Sequence, residues 1–285
     1  MHEDSPNTHP QMLSLAGFDP LGGAGVTADR WAAADLGVHA HAIPTCLVVQ
    51  NTQGVFGTSA IEQKGFDDSL RVLRDDISFD AVKVGAVATP ATARSIVDFL
   101  SAIDDATPVV VDPILTGGSK RRTEIVGALG PEFITLYGHA SLITPNTEEL
   151  EKIGLSLGVE RTREDSRWMQ AIADSLGTAL LVTGGHSEEP GLDLLYRPGA
   201  RDRTEFAARV QLPGVDIHGT GCHFSTAIAA LTSRGVAWEE AITVSKRYME
   251  YLIQHCVWSP GSGRPQFFHG DESRAFGRSL VEDED

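Results

Sequence analysis

Lysine is scarce in this 285-residue chain: five of its 23 cations are lysine and eighteen are arginine. Against 39 Asp and Glu residues the formal net charge is −16, which excludes the basic footprint of a nucleic-acid-binding surface. Crowded carboxylates repel most strongly where salt screens them least. The melting temperature is therefore expected to climb from roughly 0.05 M to about 1 M potassium chloride, and a flat profile would discard adaptation to salt. Cysteine is sparse as well. Cys46, Cys222 and Cys256 are odd in number and far apart, which excludes a disulfide framework and a zinc site built from close ligand pairs. No apolar run nears the roughly 18–20 residues of a membrane span. The first eleven residues lack the basic-then-apolar pattern of a signal peptide, so the cytoplasm is the expected compartment. No Pro/Ser-rich linker, repeat or low-complexity stretch divides the chain. The expected organisation is a disordered segment over 1–11, one domain over 12–270 and an acidic tail over 271–285, with its ending over 281–285 expected to be frayed and solvated.

What is present is an alternation of short apolar runs with amphipathic segments of helical length. Strands are expected at 12–16, 40–49, 81–84, 108–111, 141–144 and 179–182, and helices at 24–36, 67–76, 90–103, 124–130, 166–176, 221–234 and 238–256. Leu192 to Tyr196 and Phe206 to Val210 read as an antiparallel pair at an edge. Such alternation predicts an α/β fold with a mostly parallel sheet covered by helices on both faces. Ligands of such sheets bind beyond the carboxyl ends of the strands. Gly17, Asp112, Asn146, Gly184 and Gly219 each follow a predicted strand.

The most informative stretch is His218-Gly219-Thr220-Gly221-Cys222, which opens a helix with apolar residues at 224, 227, 228 and 231. Glycines let the backbone turn sharply and approach a ligand, and the N–H groups of a first helical turn favour an anion, most often phosphate. The same residues also fit a plain helix start with Cys222 as a small buried side chain. A second glycine-rich turn, Gly17 to Gly25, lies between a predicted strand and helix. Within it Gly23-Ala24-Gly25-Val26-Thr27-Ala28 imitates a dinucleotide fingerprint. That fingerprint needs an acidic residue about 20 positions on, and no Asp or Glu occurs between Asp35 and Glu62.

Ala16-Gly17-x-Asp19-Pro20-x-Gly22-Gly23-Ala24-Gly25-x-x-Ala28-Asp29, Gln50-Asn51-Thr52, Val111-Asp112-Pro113, Thr144-Pro145-Asn146-x-x-Glu149 and the Gly219 turn occur in this order. Together they resemble the hydroxymethylpyrimidine/phosphomethylpyrimidine kinases of the ribokinase-like superfamily, over about residues 12 to 258. The resemblance implies a three-layer α/β/α sandwich and a kinase using ATP and magnesium in thiamine diphosphate synthesis, cytoplasmic and homodimeric. It implies an anion hole from Gly219, Thr220, Gly221 and Cys222, with Cys222 as the base, where related enzymes carry aspartate. A helix N-terminus lowers a thiol's pKa, so a thiolate near neutrality is expected. Gly17, Asp29 and Gln50 would read the pyrimidine. Asp112, Asn146 and Glu149 would organise magnesium and phosphates, and Thr183 and Gly185 would meet the nucleotide. Each has a plainer reading: Asp112 as a turn former, Glu149 as half of a capping box with Asn146, Asp29 as a helix-face residue, Thr183 as a strand end.

The chain departs from the family pattern at Phe18 (Ser or Thr), Val48 (near a Thr), Ala86 (Met), Gly118 (Lys) and Thr183 (Lys), with Arg121 and Arg122 as candidate replacements for lost lysine charge. If Phe18 and Ala86 both face the pocket, it is reshaped. Two rivals stay open: a kinase of pyridoxal-type vitamins, and a non-catalytic pyrimidine-binding regulator.

Overall fold

The computed structural model describes residues 9–117, 123–124, 129–162, 165–184, 191–208 and 216–282. In chain order the elements are β1 (Gln11–Phe18), α1 (Gly25–Asp35), β2 (His39–Asn51), β3 (Gly54–Ala60), α2 (Gln63–Asp76), β4 (Ala81–Val84), α3 (Pro90–Leu100) and β5 (Val109–Val111). They continue as β6 (Thr116–Gly117), β7 (Thr123–Glu124), α4 (Pro131–Gly138), β8 (Leu142–Ile143), α5 (Thr147–Ser156), α6 (Asp165–Leu176) and β9 (Ala179–Val182). The last are β10 (Asp193–Tyr196), β11 (Thr204–Phe206), α7 (Thr220–Ser233), α8 (Trp238–His255), β12 (Val257–Trp258), β13 (Gln266–Phe267) and α9 (Asp271–Glu282).

Nine strands form one sheet in the order β11-β10-β9-β8-β5-β4-β1-β2-β3. β2, β1, β4, β5, β8 and β9 run parallel, while β3 at one edge and β10–β11 at the other are antiparallel. Successive strand residues face opposite sides, and here both sides are apolar. Leu13, Leu15, Val82, Val84, Val111 and Ile143 pack with Phe66, Ile96, Phe133, Ile153 and Trp168 of α2 to α6. Met12, Ala81, Val110 and Leu142 pack on the other side with Ala32, Ile228, Leu231 and Tyr248 of α1, α7 and α8. A sheet buried on both faces reads as continuous apolar runs, which is why its central strands were visible in the sequence.

Three elements differ from expectation. The helix expected at 124–130 lies instead at Pro131–Gly138, where Pro131 starts the first turn without a donor to lose; residues 125–128 are outside the described residues. β3 was not foreseen, being short, half exposed and marked by two glycines. The expected acidic tail is over most of its length the helix α9, which packs against α1 and α8 and buries Ser273; of the end expected to fray, residues 283–285 are outside the described residues. Of the segment expected to be disordered, residues 1–8 are outside the described residues.

Candidate active site

The carboxyl ends of the parallel strands open on a cleft of about 530 Å³. α7 enters it from one side. Its N-cap is Gly219, in the left-handed region at φ 86°, and no side chain caps the helix. A Cβ at Gly219 would collide with the carbonyl oxygen of Gly23, so the two glycine turns lie backbone against backbone. Gly219, Thr220, Gly221 and Cys222 all line the cleft. The first-turn N–H groups and the helix dipole thus converge where the motif placed them.

Cys222 is buried, 4% exposed. It sits between the start of α1, where the Gly25 N–H favours negative charge on the sulfur, and the Asp112 carboxylate. Asp112 accepts the Ser225 hydroxyl at 3.2 Å and has the Cys222 thiol beside it. The expectation of a thiolate near neutrality is overturned. Burial pushes the Cys222 thiol up to about 12; Lys83 pulls it down, but the charges of Asp112 and Asp29 push it up again. Desolvation in a site shared with carboxylates outweighs the helix terminus.

Asp112 and Glu149 are both buried at the cleft. Burial, with Asp29 adding and Lys83 opposing, raises Asp112 to about 6. Burial and then the Asp112 charge raise Glu149 to about 8. Glu149 also completes the capping box: Asn146 Oδ1 accepts the Glu149 N–H and Glu149 Oε2 accepts the Asn146 N–H, each at 3.0 Å. Its plain reading and its site reading therefore coexist.

Gly17 and Gln50 line the cleft beside Val48 and Ala86. Phe18 does not; it is 40% exposed and outside the lining. The altered wall has therefore lost bulk at Ala86 without Phe18 filling it. Thr183 lines the cleft near Asn146, to which it forms a parallel bridge. Gly185, Gly118, Arg121 and Arg122 lie outside the described residues.

Asp29 is not brought to the cleft lining. It is wholly buried, and both its oxygens lie 2.9 Å from the ammonium of Lys83. Ser14 donates to Oδ2 at 2.6 Å and Thr226 to Oδ1 at 2.8 Å. The carboxylate ties β1, β4, α1 and α7 together under the cleft. Burial would lower the Lys83 ammonium, but the charges of Asp29, Cys222 and Asp112 hold it above its ordinary value.

Two cleft residues received no role from the sequence. His218 donates from Nε2 to Asp19 Oδ2 at 2.8 Å, and Asp19 also accepts from the backbone of Leu21 and Ala24. Burial works against the Asp19 carboxylate, yet His218, Leu21 and Gln50 hold it below its ordinary value. Arg264 lines the cleft with its guanidinium on Asp216 and the Ile217 carbonyl. Nothing local in sequence links Arg264 or Asp19 to the Gly219 turn, 45 and 200 positions away.

With this geometry in place, the comparisons become specific. A hydroxymethylpyrimidine/phosphomethylpyrimidine kinase of Rhizobium meliloti is 32% identical over 246 residues, 85% of this chain and 89% of that protein. The thiamine biosynthesis multifunctional protein ThiED of Corynebacterium glutamicum is 30% identical over 275 residues, 95% of this chain and 35% of that protein. The chain thus spans about a third of the length of such multifunctional relatives. A solved phosphomethylpyrimidine kinase from Clostridium difficile 630 superposes with a TM-score of 0.67 at 27% identity, over 85% of this chain and 98% of that one. A pyridoxal kinase from Staphylococcus aureus shares the fold, with a TM-score of 0.75 at 22% identity over 94% and 96% of the two chains. The sheet and its helical layers are those of the ribokinase-like fold. Residues 19–265 match the family model for phosphomethylpyrimidine kinase, and the chain belongs to that family.

Proposed function

We propose that the chain is an ATP-dependent kinase of hydroxymethylpyrimidine or its monophosphate, serving thiamine diphosphate synthesis. The observation that carries this reading is the convergence on one cleft of an uncapped helix N-terminus, a thiol and two buried carboxylates. Phosphoryl transfer asks a protein mainly for positioning and charge stabilisation. The amides of residues 219–222 are placed to hold the oxygens of the transferring group. As the acceptor oxygen bonds to the γ-phosphorus and ADP departs, the hydroxyl proton passes to Cys222. The thiol's own hydrogen passes to the neighbouring Asp112 carboxylate, so the sulfur never stands as a free thiolate. The Gly25 N–H on the sulfur eases charge built up there. Gly17 and Gln50 face the pyrimidine, and Thr183 the nucleotide.

Two buried carboxylates at one cleft, with the Asp112 charge holding the Glu149 proton tighter, fit a cation between them and the phosphates. Magnesium keeps most of its waters and takes one or two carboxylates, so Asp112 and Glu149 would hold it, with Asn146 fixing Glu149. When bound it neutralises phosphate charge. Assembly as a homodimer in the cytoplasm belongs to the same reading. Leu47, Val49 and Phe56 expose apolar surface on the β2–β3 edge, and no helix among the described residues is long and apolar enough to cross a membrane.

A coupled assay of ATP consumption over hydroxymethylpyrimidine, its monophosphate and pyridoxal tests the substrate. Turnover of a pyrimidine is expected. The wall that lost bulk at Ala86 favours a larger ring as second reading, and turnover of pyridoxal alone would select it.

Glu149→Gln tests the metal role. Glutamine still accepts the Asn146 N–H, so the capping box and fold persist. Folded carboxyls raised above their ordinary values favour the protonated state, so their stabilisation is present at low pH. It is lost as pH rises through about 6 for Asp112 and about 8 for Glu149. The melting temperature without magnesium should therefore sag across that window. Magnesium with nucleotide should flatten the sag, and Glu149→Gln should remove its upper part and raise the magnesium needed for turnover. An unchanged magnesium requirement would leave Glu149 with helix capping alone.

A further inference from the structure

The family match ends at residue 265, but the chain continues into β13 and α9 and returns to the phosphate turn. His223, which follows Cys222, is buried. Its Nδ1 lies 2.7 Å from the Gly219 carbonyl oxygen, and its Nε2 lies 2.9 Å from Nε2 of His269. Nδ1 of His269 lies 2.8 Å from Asp35 Oδ2, which also accepts from the Tyr248 hydroxyl at 2.8 Å. The two imidazole planes are 3° from parallel. Four groups far apart in sequence thus form one hydrogen-bonded chain ending on the N-cap of α7.

Counting hydrogens along this chain fixes its charge. A carbonyl only accepts, so His223 Nδ1 carries a hydrogen. With His223 neutral, its Nε2 accepts and His269 Nε2 must donate. One hydrogen then remains to be shared between His269 Nδ1 and Asp35 Oδ2. Because a carboxylic acid is ordinarily far more acidic than an imidazolium, it is placed on His269, an imidazolium paired with Asp35 in a charge-assisted bond. Burial, followed by the charge on His269, depresses His223 to about 3, in keeping with its neutral form.

The Gly219 carbonyl also accepts the backbone N–H of His223 at 3.0 Å. One residue thus supplies both of its hydrogen bonds. Because the peptide unit is planar and trans, holding that carbonyl also holds the Thr220 N–H on the opposite side, and Thr220 lines the cleft.

We propose that His223, His269 and Asp35 are positioning residues for phosphoryl transfer: the protonated relay pins the Gly219–Thr220 peptide so that the Thr220 N–H faces the transferring group. The segment after residue 265 thereby completes the anion hole. The functional half of this inference rests on the kinase reading above.

Loss of the relay proton sets two lone pairs against each other, at the His223–His269 contact or at Gly219, and frees the turn. The charged and titratable groups around the relay are Asp35 on α1, Lys83 on β4, His218 before α7, Tyr248 and Cys256 at α8, and Glu272 and Arg274 on α9. Trp31 stacks on His269. Burial pushes up both Tyr248 and Cys256, so neither loses its proton near neutrality.

The test joins nitrogen-15 NMR of the imidazoles in the full chain to kinetics of His223 variants. At pH 7, His269 should show two protonated nitrogens and His223 only Nδ1–H. Removing a whole anion-hole donor costs about 10²–10³ in rate, so His223→Leu, which misaims one, should lower kcat about tenfold with KM nearly unchanged. His223→Asn places an amide nitrogen where Nδ1 stands and should restore most of the rate. A neutral His269 at pH 7, a folded His223→Leu with the parent's kcat, or Leu and Asn variants equally slow would each overturn the relay. Should His223→Leu not fold, the spectra and the Asn variant still decide. The spectra need no turnover, so a chain that phosphorylates no pyrimidine sinks the kinase reading and leaves the relay judged by itself.

Discussion

Cys222→Ala should lower phosphoryl transfer by about 10²–10⁴, the usual span for a general base, with acceptor binding by calorimetry little changed. The substitution removes the proton acceptor but none of the backbone donors of residues 219–222. Cys222→Asp should return part of the rate, since a carboxylate then stands where the hydroxyl proton must go. Burial has pushed the thiol up to about 12, so two further results are expected. The free protein should alkylate slowly at neutral pH, and its rate should show no rise from a thiol ionising there. Rapid alkylation at pH 7 would mean that the sulfur is far more ionised than its surroundings allow. A Cys222→Ala protein within a few-fold of the parent would reduce the thiol to packing.

Lys83→Met should cost about 3–5 kcal/mol of stability, because it strands the Asp29 carboxylate without a cation in a dry interior. Both side chains are wholly buried, and Ser14 and Thr226 supply the carboxylate's other hydrogen bonds among the described residues. The double substitution Lys83→Met with Asp29→Asn should recover much of the loss, since it removes the stranded charge while an amide still accepts from the two hydroxyls. Urea unfolding of the parent, both singles and the double measures the coupling. Independent, additive losses would show that the pair does not act as a unit. The Lys83→Met protein should also turn over poorly, because Thr226 lies one turn below Cys222 and the same carboxylate holds α7 against β1 and β4.

The parts of the fold legible in the sequence were those whose apolar pattern is complete in itself. β4 and β9 matched their expected spans because parallel strands buried on both faces are unbroken apolar runs. β3 escaped because its partner is the far half of β2 and its own residues alternate weakly. α9 looked like an acidic tail because the face it buries is defined by α1 and α8, elements more than 230 and 15 residues away respectively. The site followed the same rule. Turns such as Gly219-Thr220-Gly221 announce themselves, since their backbone geometry needs particular residues. Asp29 sits one turn into α1, and nothing in its neighbourhood tells whether it faces ligand or core; Lys83, wholly buried in the sheet, decides it. His269 and His223 are 46 positions apart and became meaningful only when the chain folded back.

The contact of Gly219 with Gly23 has a consequence for how this pocket changes over time. The two glycine turns share one backbone seam, with no Cβ at Gly219 to stand between them. On the kinase reading proposed above, neither the acceptor loop nor the phosphate loop can shift unless the other follows, so the distance between acceptor and phosphoryl group is a fixed interval. The opposite wall is built of side chains instead: a Cβ on Gly17 would meet those of Val48, Cys46 and Ala86. On that same reading, exchange of those side chains would retune which small aromatic acceptor fits without disturbing the chemistry that phosphorylates it.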